Sequence, residues 1–435
     1  MEAIGQILFG FFGLTVLVGI AYLFSTAKKS INWTQVLFGL LLQIAFAIFI
    51  LESFLGWGKT IFEMIAGGFV QIINFTYEGS QFVLGFLALQ SEVAKVSSFS
   101  GGFVFVFQVL PTIIFFASLM AVLYHLGVMQ KVVQGMAWVM SSVLRISGAE
   151  SISVAANVFI GQTEAPLVVR PYVSSMTKSE LYTLMVGGMA TIAGGVLAAY
   201  VGILGGNDPE LSIFYAKHLL SASIMAAPAT IVISKILIPE TGQSQTLGIV
   251  NVPVEKSSSN IIEAAASGAS DGMKLALNVA AMLLAFIALI AMVNWVLEGV
   301  FTDMLGLSIN GAPVTMQVLL GYLLSPIAWV IGVPWEDAVD VGSLIGQKVV
   351  INEFVAYLSF NDIKDLLDEK SVVISTYALC GFANFSSIAI QIGGIGGIAP
   401  DRKSDIAKLG LKAVLGGSLA TFMTATIAGV ITGFF

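Results

Sequence analysis

Eight stretches of this chain stay apolar for about the thickness of a bilayer, and that limits what it can fold into more than anything else in it. A helix needs about 20 apolar residues to cross the hydrocarbon core, and only helices or closed barrels satisfy their backbone groups there. The stretches are Ile4–Phe24, Val36–Phe54, Val104–Leu126, Leu181–Ile203, Leu219–Ile238, Leu275–Leu297, Val372–Ile392 and Leu411–Phe435. Charged residues make up only 10% of the 435, where a soluble domain carries about 25%. The chain reads as an all-α polytopic membrane protein. Ile4–Phe24 is too long for a signal-peptide core and follows Glu2, not a basic segment, so it is expected to stay as the first span.

Placing Lys28 and Lys29 inside puts thirteen of the 19 basic residues on inside segments. The six left outside are Lys59, Lys95, Lys217, Lys348, Lys364 and Lys370. That bias follows the positive-inside rule and predicts both termini outside. A net charge of −7 with no basic cluster argues against a nucleic-acid partner. Cys380 is the single cysteine, which excludes an intrachain disulfide and a cysteine metal site. His125 and His218 have no metal-ligand spacing and read as helix-end or interfacial residues.

Between the spans, Glu63–Phe86 has helical apolar spacing and suits a helix along the outer face, with Lys131–Leu144 its inner counterpart. Gly242–Asn260 reads as an exposed inner loop, after which Ile261–Ser270 restarts as a small-residue helix. Pro326 and Gly332-Val333-Pro334-Trp335 are expected to break Leu319–Phe360 into short pieces.

Ser151–Phe159 and Ala165–Val173 are each too short to cross. They predict a re-entrant hairpin turning at Gly161-Gln162-Thr163, with Thr163 as N-cap and Pro166 in the first turn. Glu164 then sits at the positive end of a half-helix, a carboxylate in an apolar setting and so a functional candidate. A second hairpin is expected from Ala338–Val350 and Glu353–Phe360, turning at Asn352.

Each hairpin precedes a span with a weak middle: Gly187-Gly188 to Gly194-Gly195 after the first, and Gly381-Phe382-Ala383-Asn384-Phe385-Ser386-Ser387 after the second. Glu164 to Gly195 and Glu353 to Asn384 are both 31 positions apart. Glycine costs about 1 kcal/mol in a helix interior, so both spans are expected to be broken. The first hairpin enters from inside and the second from outside. Paired interrupted segments in inverted halves point to a transporter's midplane site.

Each feature has a plainer reading on its own. Glycine pairs permit close helix packing, a membrane serine bonds its own helix, and Phe382 packs. Two carboxylates and two breaks at matched separation favour transport. An intramembrane hydrolase would need a Ser/His or Cys/His pairing or a metal cluster, and none is legible. A channel would suit two hairpins but would not concentrate solute.

Gly161-Gln162-Thr163-Glu164-Ala165-Pro166, Asn352-Glu353-Phe354-Val355-Ala356-Tyr357 and Gly381–Ile388 resemble, in order and spacing, three signature stretches of the concentrative nucleoside transporters. The resemblance covers essentially the whole chain. It implies a homotrimer in a bacterial plasma (inner) membrane, each protomer with eight spans and two re-entrant hairpins. Residues 1–128 and 273–300 would form a scaffold, with 129–272 and 301–435 the two halves of a transport domain moving like an elevator. Sodium symport of nucleosides, uridine and other pyrimidine nucleosides first, is the implied activity, with a proton-coupled version as the rival and no cofactor beyond the coupling ion. Gln162, Thr163, Glu164 and Val196 would face the nucleobase, and Glu353, Asn384 and Ser387 the ribose, with Phe382 lining the pocket. Asn157, Thr191 and the carbonyls of Ile160 and Ile192 would hold sodium. Ile160 and Thr191 stand where relatives often have Val and Ser; the ligands there would be a main-chain carbonyl and a hydroxyl or carbonyl, so neither change threatens the site.

Overall fold

Apolar runs with few backbone breakers become long helices, and the computed structural model describes them over residues 2–51, 57–96, 103–206, 208–246, 258–309, 311 and 313–432. The expected span ends at Phe54 and Phe435, and most of the loop around Lys256, lie outside those residues. Helices α1 (Glu2–Leu23) and α2 (Trp33–Leu51) come first. The amphipathic stretch expected at Glu63–Phe86 belongs to the 28-residue α3 (Trp57–Leu84). Its buried Phe62, Ala66, Ile73, Thr76 and Ser80 lie at helical spacing, while Met64, Phe82 and Val83 are exposed. Short α4 (Gln90–Val96) and α5 (Phe105–Gln108) lead to α6 (Leu110–His125). Gly127, in the left-handed region at φ 79°, then turns the chain into α7 (Val128–Leu144).

Two sets of elements then follow the same order. In the first, α7 is followed by the hairpin arms α8 (Gly148–Asn157), α9 (Ala165–Val168) and α10 (Arg170–Val173). The broken span α11 (Lys178–Ala190) and α12 (Gly194–Gly205) comes next, and then α13 (Pro209–Leu237). After α14 (Ile261–Leu297), the second set runs through α15 (Met316–Val330) and the arms α16 (Ala338–Val350) and α17 (Glu353–Ile363). It ends with the broken span α18 (Glu369–Leu379) and α19 (Phe385–Ile398), and with α20 (Lys403–Thr432). Among the described residues seven helices are long and apolar enough to cross a membrane, counting Lys178–Gly205 through its break. The expected span Val372–Ile392 is missing from that group because the longer break at 380–384 divides it into an 11-residue and a 14-residue helix.

Four expectations are corrected. The second arm of the first hairpin is two short helices, since Pro171 has no N–H for the Leu167 carbonyl. Glu164, not Thr163, occupies the N-cap position of α9, without a side-chain capping bond. Pro326 lies inside a continuous α15, where the Ser325 hydroxyl donates to the Tyr322 carbonyl (3.1 Å) that the proline leaves free. Lys348, counted with the outside charges because it falls between spans, is 0% exposed. Ile261–Ser270 is the start of the 37-residue α14.

Small residues set two close contacts. A Cβ on Gly268 would fall 2.6 Å from Ala121 Cβ and 2.7 Å from the Ala117 carbonyl, so α14 lies tight on α6. Beyond that seam α14 exposes Leu277, Leu284 and Trp295. Helices α1 and α2 pack along α13 and α20, and Gln43 Nε2 donates to Thr424 Oγ1 at 3.0 Å across that face.

Buried polar groups tie the first arm to its base. Ser147 and Glu150 form a reciprocal capping box at the start of α8. Lys235 of α13 hydrogen-bonds Glu150 and, at 2.9 Å, Ser179 Oγ; Glu240 stands 3.6 Å away.

Candidate functional site

The two helix breaks meet. Residues 191–193 interrupt the first span and 380–384 the second, and Phe382 N–H donates to the Thr191 carbonyl at 3.4 Å. A Cβ on Gly381 would lie 2.9 Å from the Met189 carbonyl, so only glycine lets the breaks come this close. Backbone groups freed at both breaks are thus concentrated in the protein interior, where irregular backbone is tolerated at membrane depth.

A continuous polar chain crosses this junction. Glu353 opens α17 directly after Asn352, whose Oδ1 caps the helix by accepting from Val355 N–H (3.0 Å). Glu353 accepts from Tyr200 OH at 3.1 Å and from Asn384 Nδ2 at 2.8 Å. Asn384 caps α19, its Oδ1 accepting from Ser387 N–H at 2.8 Å and from Ser386 Oγ at 2.7 Å. Ser387 Oγ in turn accepts from Gln162 Nε2 at 3.0 Å, and Gln162 Oε1 accepts from Gln391 Nε2 at 3.2 Å. The second hairpin is thereby wired to the tip of the first. Asn352 Nδ2 and Gln391 Oε1 are buried without partners among the described residues. Buried polar atoms are rarely left so unless something else satisfies them.

The structure brings Gln162, Glu353, Asn384 and Ser387 into one bonded set. Thr163 sits at the same tip, and a Cβ on Gly394 of α19 would lie 3.3 Å from its Cγ2. Val196 is buried in the first turn of α12, and Phe382 half-buried within the second break. Glu164 is exposed at the hairpin turn, where a Cβ on Gly161 would fall 2.5 Å from its Oε2, so the carboxylate lies over the turn itself. Sequence reading missed Tyr200 and Gln391. Both carried a signal: Tyr200 is one helical turn after Val196, and Gln391 one turn after Ser387.

Space around Gln162 is tight. A Cβ on Gly188 would fall 2.8 Å from Gln162 Cβ and 3.1 Å from Gln391 Nε2. Gly188→Ala is expected to push Gln162 off Ser387 and to destabilise the protein by about 1–3 kcal/mol, since overpacking strains a filled contact. Thermal unfolding of the purified variant checks this; an unchanged melting temperature would show that Gln162 gives way without cost.

Of the residues expected to hold sodium, Asn157 and Thr191 both approach Gly187. Asn157 Nδ2 donates to the Ser153 carbonyl (3.0 Å), leaving Oδ1 buried with no partner. Thr191 Oγ1 donates to the Gly187 carbonyl (2.9 Å), which leaves its lone pairs free. Gly194 N–H donates to the Phe159 carbonyl at 3.1 Å, holding the hairpin turn against the break. Among the described residues no hydrogen bond reaches the carbonyl of Ile160 or Ile192. Oxygens alone, without a competing cationic donor, are the donor set a hard cation takes.

Comparison with known proteins identifies the family. Residues 12–87 and 218–429 match the profiles described as the N-terminus and C-terminus of the Na+ dependent nucleoside transporters, and residues 106–207 match one described as nucleoside recognition. The Helicobacter pylori nucleoside permease NupC is 41% identical over 98% of both chains. The chain belongs to the concentrative nucleoside transporter family. Rat sodium/nucleoside cotransporter 2 is 37% identical over 98% of this chain and 62% of its own length. The solved structure of the family's CNTnw in an inward-facing substrate-bound state superposes with TM-score 0.88 at 43% identity, covering 98% of each chain. A CNTnw variant in an outward-facing state gives 0.91 at 43% identity over the full length of both chains. The family's nucleoside-recognition segment spans Asn157, Gln162 and Thr191, and its C-terminal segment holds Glu353, Asn384 and Ser387. Homologues that are transporters also leave the hydrolase reading without support.

Proposed function

We propose that this protein is a sodium-coupled nucleoside symporter that imports uridine and other pyrimidine nucleosides across the bacterial inner membrane. The observation that carries this is the polar chain from Glu353 through Asn384 and Ser387 to Gln162, with the unpartnered Asn157 oxygen five positions before Gln162 in the same hairpin. A nucleoside is neutral and polar, so it needs amides that donate and accept, and a carboxylate for the ribose hydroxyls. Glu353, Asn384 and Ser387 take the ribose; Gln162, Thr163, Glu164 and Val196 take the base, with Phe382 as an apolar wall. Sodium binds Asn157, Thr191 and the carbonyls of Ile160 and Ile192. Its charge offsets the cost of the carboxylates around an unfilled site, which is a physical cause for coupling.

Residues 129–272 and 301–435 move as the transport domain against a scaffold of 1–128 and 273–300, and three copies assemble through the scaffold. CNTnw has been solved in inward-facing, outward-facing and intermediate states, as such a movement requires. In this division α1 and α2 slip along α13 and α20. A mercury(II) bridge between Gln43→Cys and Thr424→Cys, whose parent side chains meet across this face, is then expected to arrest uptake and excess thiol to restore it. Undiminished uptake in the cross-linked protein would place α1 and α2 with the moving domain.

Liposomes holding the purified protein are expected to accumulate labelled uridine under an inward sodium gradient and not without one. Accumulation under a proton gradient alone would favour the proton-coupled reading. Equilibration without accumulation would make it a channel.

A further inference from the structure

The two repeats meet the same electrostatic need with different groups. In the first, Asn157 at the end of arm α8 and Thr230 of α13 both approach Gly187 in the last turn of α11. A Cβ on Gly187 would lie 3.2 Å from Asn157 Nδ2 and 3.7 Å from Thr230 Cγ2. Asn157 Oδ1 and Thr230 Oγ1 are both buried and unpartnered among the described residues. In the second, the arm residue is Lys348, in the last turn of α16. Its Nζ donates to the Ala378 carbonyl in the last turn of α18 at 2.7 Å and to Thr421 Oγ1 of α20 at 3.0 Å. It also stands 5.8 Å from the centre of the Phe422 ring.

The elements correspond one to one: the first hairpin arm, the first half of the broken span, and the long helix that closes the repeat. Where one repeat leaves oxygens without a partner, the other supplies an ammonium. Lys348 is wholly buried, and among the described residues no carboxylate lies within ion-pair distance of it. A buried charge is expensive unless it is compensated, and an ionisable group at membrane depth is a functional candidate.

We propose that the Lys348 ammonium is a built-in cation, occupying in the second repeat the place that transported sodium takes in the first. This rests on the sodium-symport reading above. Glu353, five residues beyond Lys348, then has a nearby positive charge in every state of the cycle. The half of the site around Gln162 and Glu164 gains one only when sodium arrives. The second repeat is permanently loaded, and the first is the one whose loading gates the nucleoside.

The test is the sodium order of uridine binding to the purified protein. Wild type is expected to show an order of about one. Lys348→Ala opens a space beside the Ala378 carbonyl and the Thr421 hydroxyl, and its order is expected to rise towards about two. Ethylammonium is expected to restore part of its binding at fixed sodium. Lys348→Met fills the space without charge, and is expected to bind uridine at least about tenfold more weakly at every sodium concentration. An order of two in wild type overturns the proposal whether or not the variants fold. So does a folded Lys348→Met with wild-type affinity and order. Uridine binding indifferent to sodium in wild type removes the symport reading itself, a different result from an order of two.

Discussion

Glu353→Gln is expected to lower uridine binding and uptake about 100-fold while the protein elutes and melts as the parent does. The carboxylate already accepts from two donors, Tyr200 OH and Asn384 Nδ2. An amide keeps one acceptor oxygen for Asn384 Nδ2 and turns its NH2 group to the Tyr200 hydroxyl, which also accepts, so the local network keeps its bonds and loses only the charge. The ribose hydroxyls then lose a charged acceptor. Hydrogen bonds to charged groups are worth about 1.5–3 kcal/mol each, and two of them account for a change of that size. Wild-type uptake by Glu353→Gln would remove Glu353 from the site.

Lys235→Met is expected to give the largest loss of stability. Lys235 and Glu150 are both buried, and the lysine also bonds Ser179. Their pairing gains little over two apolar residues, but stripping one partner leaves a bare charge and costs about 3–5 kcal/mol. A fall in melting temperature of roughly 5–10 °C is expected. The double variant Glu150→Gln, Lys235→Met is expected to recover most of it, since no bare charge remains. Thermal unfolding of both variants decides; equal stability of Lys235→Met and wild type would show that Glu150 finds another partner.

Much of this was legible in the residues. The arm Ala338–Val350 and the start of α17 at Glu353 fall where the turn chemistry put them, because Asn352 is a strong N-cap. Both breaks were marked by glycine, asparagine and serine in otherwise apolar runs. Signals failed where a distant or neighbouring group changed the local outcome. Ser325 repaired the carbonyl that Pro326 left free, and hydropathy cannot see such a repair. Lys348 looked like an outside charge until folding set it between a carbonyl and a threonine of two other helices. Gln391 and Tyr200 lay one helical turn from residues already singled out, but pairing Tyr200 with Glu353 requires the second repeat to fold against the first.

Sodium at Asn157 and nucleoside at Gln162–Glu353 are expected to complete one another. Linkage makes that reciprocal: each ligand must strengthen the other by the same factor. The direct measurement is the shift in melting temperature of the purified protein by uridine, with and without sodium, and by sodium, with and without uridine. The uridine shift is expected to be large in sodium, nearly absent with choline in its place, and lost in Asn157→Leu at any sodium concentration. Equal uridine shifts in sodium and in choline would contradict it.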